Sequence, residues 1–222
     1  MRQQGGDDQV IVCGLDPSLT STGVAILRDG RPILLRSIGT GPDIKDWDHR
    51  VRRITRQTWN IVRLIETTLS ERVGPGVLLD LAMIEAPLTF DTGGDAYDRY
   101  ALFVEIMRQL QHWKTPTVVV NNLTRCKWAT GKGGKSSKEI TRAQHKREVM
   151  QAVRETWAPW AAHITNDDVG DSLTLAEIGA RGAGDELHFR PARRHIEAMH
   201  NSIAWPSGFG PKPETTQVGA VQ

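Results

Sequence analysis

Short apolar runs alternate along the chain with longer stretches in which apolar residues recur every three or four positions. Val10-Ile11-Val12-Cys13-Gly14-Leu15 is apolar and rich in β-branched residues, as in a strand covered on both faces. Asp16-Pro17-Ser18 ends it, because proline cannot donate to a ladder. Gly23 to Leu27 predicts a second strand, and Asp29-Gly30 predicts a hairpin turn into a third, Ile33 to Ile38. From Asp46 to Val73, the residues Val51, Ile54, Thr58, Ile61, Leu64, Ile65 and Leu69 form a helical stripe. Gly74-Pro75-Gly76 stops that helix. Leu78 to Ile84 reads as a buried strand ending at Glu85-Ala86-Pro87, and residues 88–95 as a polar loop. Ala96 to His112 predicts a helix carrying Tyr100, Phe103, Val104, Met107 and Leu110, and Thr117 to Val120 a last strand. Residues 125–138 read as a Gly/Lys/Ser loop, followed by a helix from Ser136 to Trp157 and another from Asp168 to Arg181. The expected fold class is α/β: a mixed five-stranded sheet, a three-strand antiparallel meander plus parallel strands, flanked by helices.

Composition narrows the class. Of 222 residues, 39% are hydrophobic and 24% charged, which suits a soluble globular chain of one domain. No apolar run is long enough to span a membrane, and the first residues lack an apolar signal core. Residues 1–8 are expected to be disordered, and the Gly/Pro/Thr-rich segment 206–222 is expected to be a flexible tail. The cysteines Cys13 and Cys126 do not have zinc-site spacing, and a reducing cytosol fits them.

The net charge of +2 names no partner, but its distribution does more. Arg125, Lys127, Lys132, Lys135, Lys138, Arg142, Lys146 and Arg147 stand against the single acid Glu139 in that run. Such a local excess suits a polyanion, although a solvated loop and helix face would read the same way.

The acids fall where strands end. Asp16 follows the first strand, Glu85 the Leu78–Ile84 strand, and Asp168 and Asp171 open the last helix. Ligands gather at such strand ends in open α/β sheets. Asp168 and Asp171 share a helix face, whereas Asp167 is rotated away and reads as an N-cap. Singly, each acid also reads as a turn former, a surface residue or a helix-end residue. Together they repel unless a cation relieves them, and hard ions such as Mg²⁺ and Mn²⁺ prefer carboxylate oxygens. Two such ions can activate water and stabilise the leaving oxygen of a phosphodiester. Acids and basic run then agree on a metal-dependent nuclease.

Four segments resemble RuvC-type Holliday junction resolvases, a family that includes bacteriophage members. Val12-Cys13-Gly14-Leu15-Asp16-Pro17-Ser18 with Thr22-Gly23-Val24-Ala25 is similar to the first motif. Ala82-Met83-Ile84-Glu85 resembles the second, and Asp168-Val169-Gly170-Asp171-Ser172-Leu173-Thr174-Leu175-Ala176 the third. Cys126 to Gly133 with Ser137-Lys138-Glu139 is similar to the Gly-rich basic segment, where Lys127 and Lys138 match lysines near the scissile phosphate. The resemblance covers residues 9–182, read as the nuclease domain, with 183–205 as a C-terminal extension outside the pattern.

The resemblance implies a ribonuclease H-like fold and a homodimer that cuts a four-way junction in paired fashion with Mg²⁺ or Mn²⁺, leaving 5′-phosphate and 3′-hydroxyl ends. It implies Asp16 as the ligand bridging two ions, Glu85 and Asp171 completing the shell, and Asp168 on the second ion. Lys138 or Lys127 would offset phosphate charge, while Lys132, Lys135, Arg142, Lys146 and Arg147 would hold the duplex arms. The dimer would pack through the helix at 96–112, where Tyr100, Phe103 and Met107 face either the partner or the sheet. No membrane and no nucleotide cofactor are implied, and the location would be the cytoplasm of a bacterium or a phage-infected host. The chain departs from the family after Glu85, where Ala86-Pro87-Leu88-Thr89-Phe90 replaces Gln and an aromatic, leaving Leu88 or Phe90 as the junction wedge. Ser18 stands where glycine is usual. Rival readings are a broader branched-DNA or flap nuclease, a ribonuclease H-type enzyme, and a non-catalytic DNA-binding module. A two-domain actin-like or sugar-kinase ATPase needs a longer chain, and a DnaQ-type exonuclease needs an acid two residues after Asp16.

Overall fold

A computed structural model of the chain describes residues 9–41, 46–87, 94–131 and 141–211. The strands are β1 (Ile11–Asp16), β2 (Thr22–Arg28), β3 (Arg31–Ile38), β4 (Leu81–Glu85) and β5 (Thr117–Val120). The helices are α1 (Trp47–Arg72), α2 (Gly94–His112), α3 (Asn122–Thr130), α4 (Arg142–Thr156), α5 (Asp167–Ala183) and α6 (Arg193–Ser202), with a 3₁₀ turn at Ala158–His163. One sheet runs in the order β3-β2-β1-β4-β5. β1–β2 and β2–β3 pair antiparallel, and β1–β4 and β4–β5 pair parallel. The expected five-stranded mixed sheet is therefore present.

Period-two alternation sorts the strand residues between two cores. Ile11, Cys13, Leu15, Val24, Ile26, Ala82 and Ile84 face α1 and α2. Val12, Ala25, Leu27, Leu81, Met83, Val118 and Val120 face the layer of α3, α4, α5 and α6. Parity then places Asp16 and Glu85, each the last residue of its strand, on the α5 side. The two strands are parallel neighbours, with Leu15 opposite Ile84, so the two acids end adjacent strands at the same edge.

Two glycines let α5 lie directly on that face. A Cβ at Gly14 would stand 2.0 Å from the Ser172 carbonyl oxygen, and one at Gly23 would stand 1.9 Å from that of Asp168. Only glycine permits such backbone contact. Asn166 caps α5 by accepting from Val169 N, so Asp167 is the first helical residue and not the cap. The helix is buried through Leu173, Leu175, Ala176, Ile178 and Ala180, each residue supplying on the order of its transfer free energy to the core.

Several boundaries differ from the sequence reading. Residues 122–130 form α3, where a loop was expected to begin at 125, because Asn121 caps its start and Gly131 its end in the left-handed region. The helix expected from Ser136 is described only from Arg142, whose segment Thr141 opens with a capping box. On α1, Ile54, Thr58, Ile61, Ile65 and Leu69 are buried as expected, but Val51 is exposed. On α2 the buried stripe is Leu102, Ile106 and Leu110, while Tyr100 and Val104 are exposed. Tyr100 stacks on the half-buried Phe103 and does not cover the sheet.

The C-terminal extension is packed. Ala198, Met199 and Ile203 enter the α5-side core, and Trp205 covers Gly182. Phe209 lies against the same core, and Gly210 N donates to Gly182 O at 2.7 Å, at the start of the segment read as a tail. Residues 1–8 and 212–222 lie outside the described residues.

Candidate active site

A cleft of about 540 Å³ opens where β1 and β4 end beside the N-terminus of α5. Asp16, Glu85, Asp168 and Asp171 all line it, so the structure brings the four expected acids together. Its other walls come from Arg99 and Phe103 of α2, Asn122 and Arg125 of α3, and His145 and Lys146 of α4.

Each acid meets a different environment. Asp16 accepts no hydrogen bond from a described residue, and desolvation with the charges of Glu85, Asp171 and Asp168 raises its pKa well above the carboxylate range. Asp168 accepts from Ser21 Oγ at 2.5 Å, yet desolvation still raises it. Asp171 is pushed up to about 7, mainly by desolvation, with Arg125 opposing the rise and Glu85 adding to it. Asp167 pairs with Lys146 at the rim, and that bond lowers its pKa. Asp167 thus lines the same cleft but is turned to a lysine, not to the other acids.

Arg125 is the centre of the site's electrostatics, although its place in a basic run marked it as a surface residue. Its side chain is only 5% exposed. Nε donates to Glu85 Oε2 at 2.5 Å, and Nη1 donates to Asp171 Oδ1. Asn122, one turn earlier on α3, donates Nδ2 to the other Glu85 oxygen at 3.0 Å. The two carboxylates hold the guanidinium charged, raising its pKa despite burial. His145 also escaped the sequence reading. It lines the cleft, and its Nε2 is buried without a hydrogen-bond partner among the described residues.

The expected basic contacts divide. Lys146 stands at the rim and Arg147 lines the groove next to it. Lys127 is not on the cleft wall. It points toward α6, with Nζ 3.9 Å from Glu197 Oε2. Arg125, two residues earlier, occupies the inward face of α3 instead. Arg193 and Arg194 on α6 are engaged, with Glu197 and with the Trp128 carbonyl oxygen respectively. Lys132, Lys135, Lys138, Leu88 and Phe90 lie outside the described residues, and for Arg142 only its position at the start of α4 is described.

The acids suit a hard divalent cation in donor type, being carboxylate oxygens around Asp16, which accepts no hydrogen bond among the described residues. As they stand, no group of three His, Cys, Asp or Glu side chains is arranged around a metal position among the described residues. The guanidinium of Arg125 fills the gap between Glu85 and Asp171.

No family model matches the sequence, and no curated protein matches it. Solved structures do. The Thermus thermophilus RuvC in complex with Holliday junction substrate is similar over 77% of this chain and 92% of its own, at 16% identity and a TM-score of 0.50. Another structure of Thermus thermophilus RuvC matches over 77% of this chain and 93% of its own, at 15% identity and a TM-score of 0.50. The fold is therefore RNase H-like, of the RuvC kind. Among the described residues no helix is long and apolar enough to cross a membrane.

Proposed function

We propose that the chain is a metal-dependent, structure-selective DNA endonuclease that resolves four-way junctions. The observation that carries the reading is the convergence of Asp16, Glu85, Asp168 and Asp171 on one open cleft. The RuvC fold supports it, and one similar protein is described with a Holliday junction substrate. Asp16, Glu85, Asp168 and Asp171 would hold Mg²⁺ or Mn²⁺, two ions per site. Such ions, when bound, polarise the phosphodiester and make water a stronger nucleophile.

The chain's own residues set the remaining conditions. Ser21 fixes the Asp168 carboxylate, and Asn122 fixes Glu85. Lys146 and Arg147, with Lys132, Lys135, Lys138 and Arg142, supply positive charge for the phosphates of the arms. Selectivity for a branch then comes from shape and deformability, not from base edges. Residues 9–182 form the nuclease body and 183–205 an extension built onto it. The exposed face of α2, with Tyr97, Tyr100 and Val104 at 73%, 59% and 43% exposure, is the surface we assign to homodimer pairing.

A substrate panel tests this reading: a synthetic four-way junction, a linear duplex of the same sequence, a flap and an RNA–DNA hybrid, each with Mn²⁺ or Mg²⁺. Cutting confined to the junction supports a resolvase. Cutting of flaps or hybrid replaces it with a broader nuclease of the same fold, and binding without cutting indicates a DNA-binding module.

A further inference from the structure

The chain carries its own cation at the centre of the acid cleft. Arg125 is 4% exposed, and its guanidinium bridges Glu85, at the end of β4, and Asp171, in the first turns of α5. Two elements that a shared cation would join are thus already joined by a side chain of α3. The arrangement is supported from α3 itself. Asn122 holds the second oxygen of Glu85 on the same helix face, one turn from Arg125. Asn121 caps the helix by accepting from Thr124 N, and Trp128 locks its other end by donating to Glu177 at 2.5 Å. A helix so anchored presents the guanidinium in one place.

Charge makes the placement consequential. Without a cation, Glu85 and Asp171, whose side chains are largely buried, would face each other where like charges repel strongly. A guanidinium meets both carboxylates at once from two separate nitrogens of its planar fork, Nε toward Glu85 and Nη1 toward Asp171, whereas an ammonium must donate from a single atom. A divalent ion that uses Glu85 and Asp171 together needs the oxygens that Arg125 now engages. Asp16 and Asp168 remain outside the guanidinium's hydrogen bonds.

Resting on the nuclease reading above, we propose that Arg125 is a positioning residue acting as a resident counter-ion. It takes the cation position between Glu85 and Asp171, holds both carboxylates in place, and must be displaced before a divalent ion engages them. Metal loading is therefore unequal: the Asp16–Asp168 side is open, and the Glu85–Asp171 side is gated. A phosphate entering the cleft offers the displaced guanidinium new acceptors, so substrate and metal would load together.

The test counts metal on the DNA-free protein, which needs no catalysis. Mn²⁺ binding is followed by electron paramagnetic resonance and calorimetry for the wild type, Arg125→Gln and Arg125→Lys, with circular dichroism to verify folding. The wild type should bind one ion readily and a second only weakly. Arg125→Gln should bind two, the second at least about tenfold more tightly than in the wild type. Its melting temperature in chelator should fall by roughly 5 °C and recover with Mn²⁺ more than the wild type's does. Arg125→Lys keeps a charge but donates from a single nitrogen in place of Nε and Nη1, so its second affinity should fall between the two. Should Arg125→Gln fail to fold without metal, the Lys variant alone decides by the same ordering. Equal stoichiometry and affinity in all three proteins would overturn the counter-ion role while leaving the nuclease reading intact. Absence of Mn²⁺ binding in every protein would overturn both.

Discussion

At Asp16 a buried strand ends in a carboxylate that no described residue neutralises by a hydrogen bond. Its exchange for asparagine removes a charge without altering the basic surface. Asp16→Asn, Glu85→Gln and Asp171→Asn should each lower junction cleavage by about a hundredfold or more, the scale on which a transition-state contact is felt. Junction binding, read by gel shift, should stay largely intact. Asp167→Asn should be nearly silent, since Asp167 is paired with Lys146 at the rim. Loss of activity in Asp167→Asn but not in Asp168→Asn would shift the register of the last motif by one residue. The four acids were legible because strand ends and i,i+3 helix spacing are local properties of sequence. Arg125 was not, because a run rich in Lys and Arg looks solvated. Only tertiary placement shows that one of its members turns inward to two acids.

Among the elements, α5 decides whether the acids meet at all. It lies on the sheet only where Gly14 and Gly23 omit a side chain. Gly14→Ala and Gly23→Ala, whose methyl groups would overlap carbonyl oxygens, should each cost about 3 kcal/mol or more in denaturant unfolding, or prevent folding. A loss below about 1 kcal/mol would mean that α5 can ride up from the sheet. Further along α5, the buried Glu177 accepts from the indoles of Trp128 and Trp157, at 2.5 and 2.7 Å, tying α3 and the end of α4 to the core. Burial pushes this carboxyl from 4.5 up to about 7. Between those two values the folded state keeps a proton that the unfolded chain has released. The folded form binds more protons there, so this group's contribution falls as pH rises through that window. Glu177→Gln should flatten that slope in melting experiments. It should also cost about 1–3 kcal/mol, because the amide nitrogen would replace one of the two oxygens that the indoles meet separately and face an N–H donor. A wild-type slope kept in the variant would place the proton elsewhere.

Element placement was less legible where two faces shared one period. On α2 both Tyr100-Phe103-Met107 and Leu102-Ile106-Leu110 recur at helical spacing, and only packing fully buries the second while Phe103 and Met107 pack half-buried beside it and Tyr100 stays exposed. α3 has a weakly amphipathic sequence, although its caps at Asn121 and Gly131 were readable signals. α6 was hidden by its Arg- and His-rich sequence and few apolar anchors, with His195 buried against Trp128.

For the whole molecule, the order of strands and helices was readable because the strands are short runs, most of them apolar, closed by Gly, Pro, Asp or Asn. The role of the C-terminal extension was not, since its contacts are distant in sequence. Trp205 on Gly182, and Ala198, Met199 and Ile203 in the core, make it part of the body. Ending the chain after residue 184 should therefore lower the melting temperature by roughly 5–10 °C or abolish cooperative melting. An unchanged transition would mean that the extension rests on the surface without stabilising it. The basic surface makes a separate statement about the molecule as a polyanion binder. Junction affinity should fall steeply and linearly in log–log form with salt, and Lys146→Gln with Arg147→Gln should reduce the slope.

The central claim, that four carboxylates gathered where an RNase H-like sheet meets α5 form the site that cuts a branched DNA, is tested most directly by mapping products. A four-way junction labelled on each strand in turn is incubated with Mn²⁺ or with chelator, beside Asp16→Asn. The account predicts paired nicks at symmetrical positions in opposing strands, with 5′-phosphate ends. They should be absent in chelator and in the variant, while the variant still shifts the junction. Nicks that persist in Asp16→Asn, or a wild type that binds the junction and cuts nothing in either metal, would contradict it.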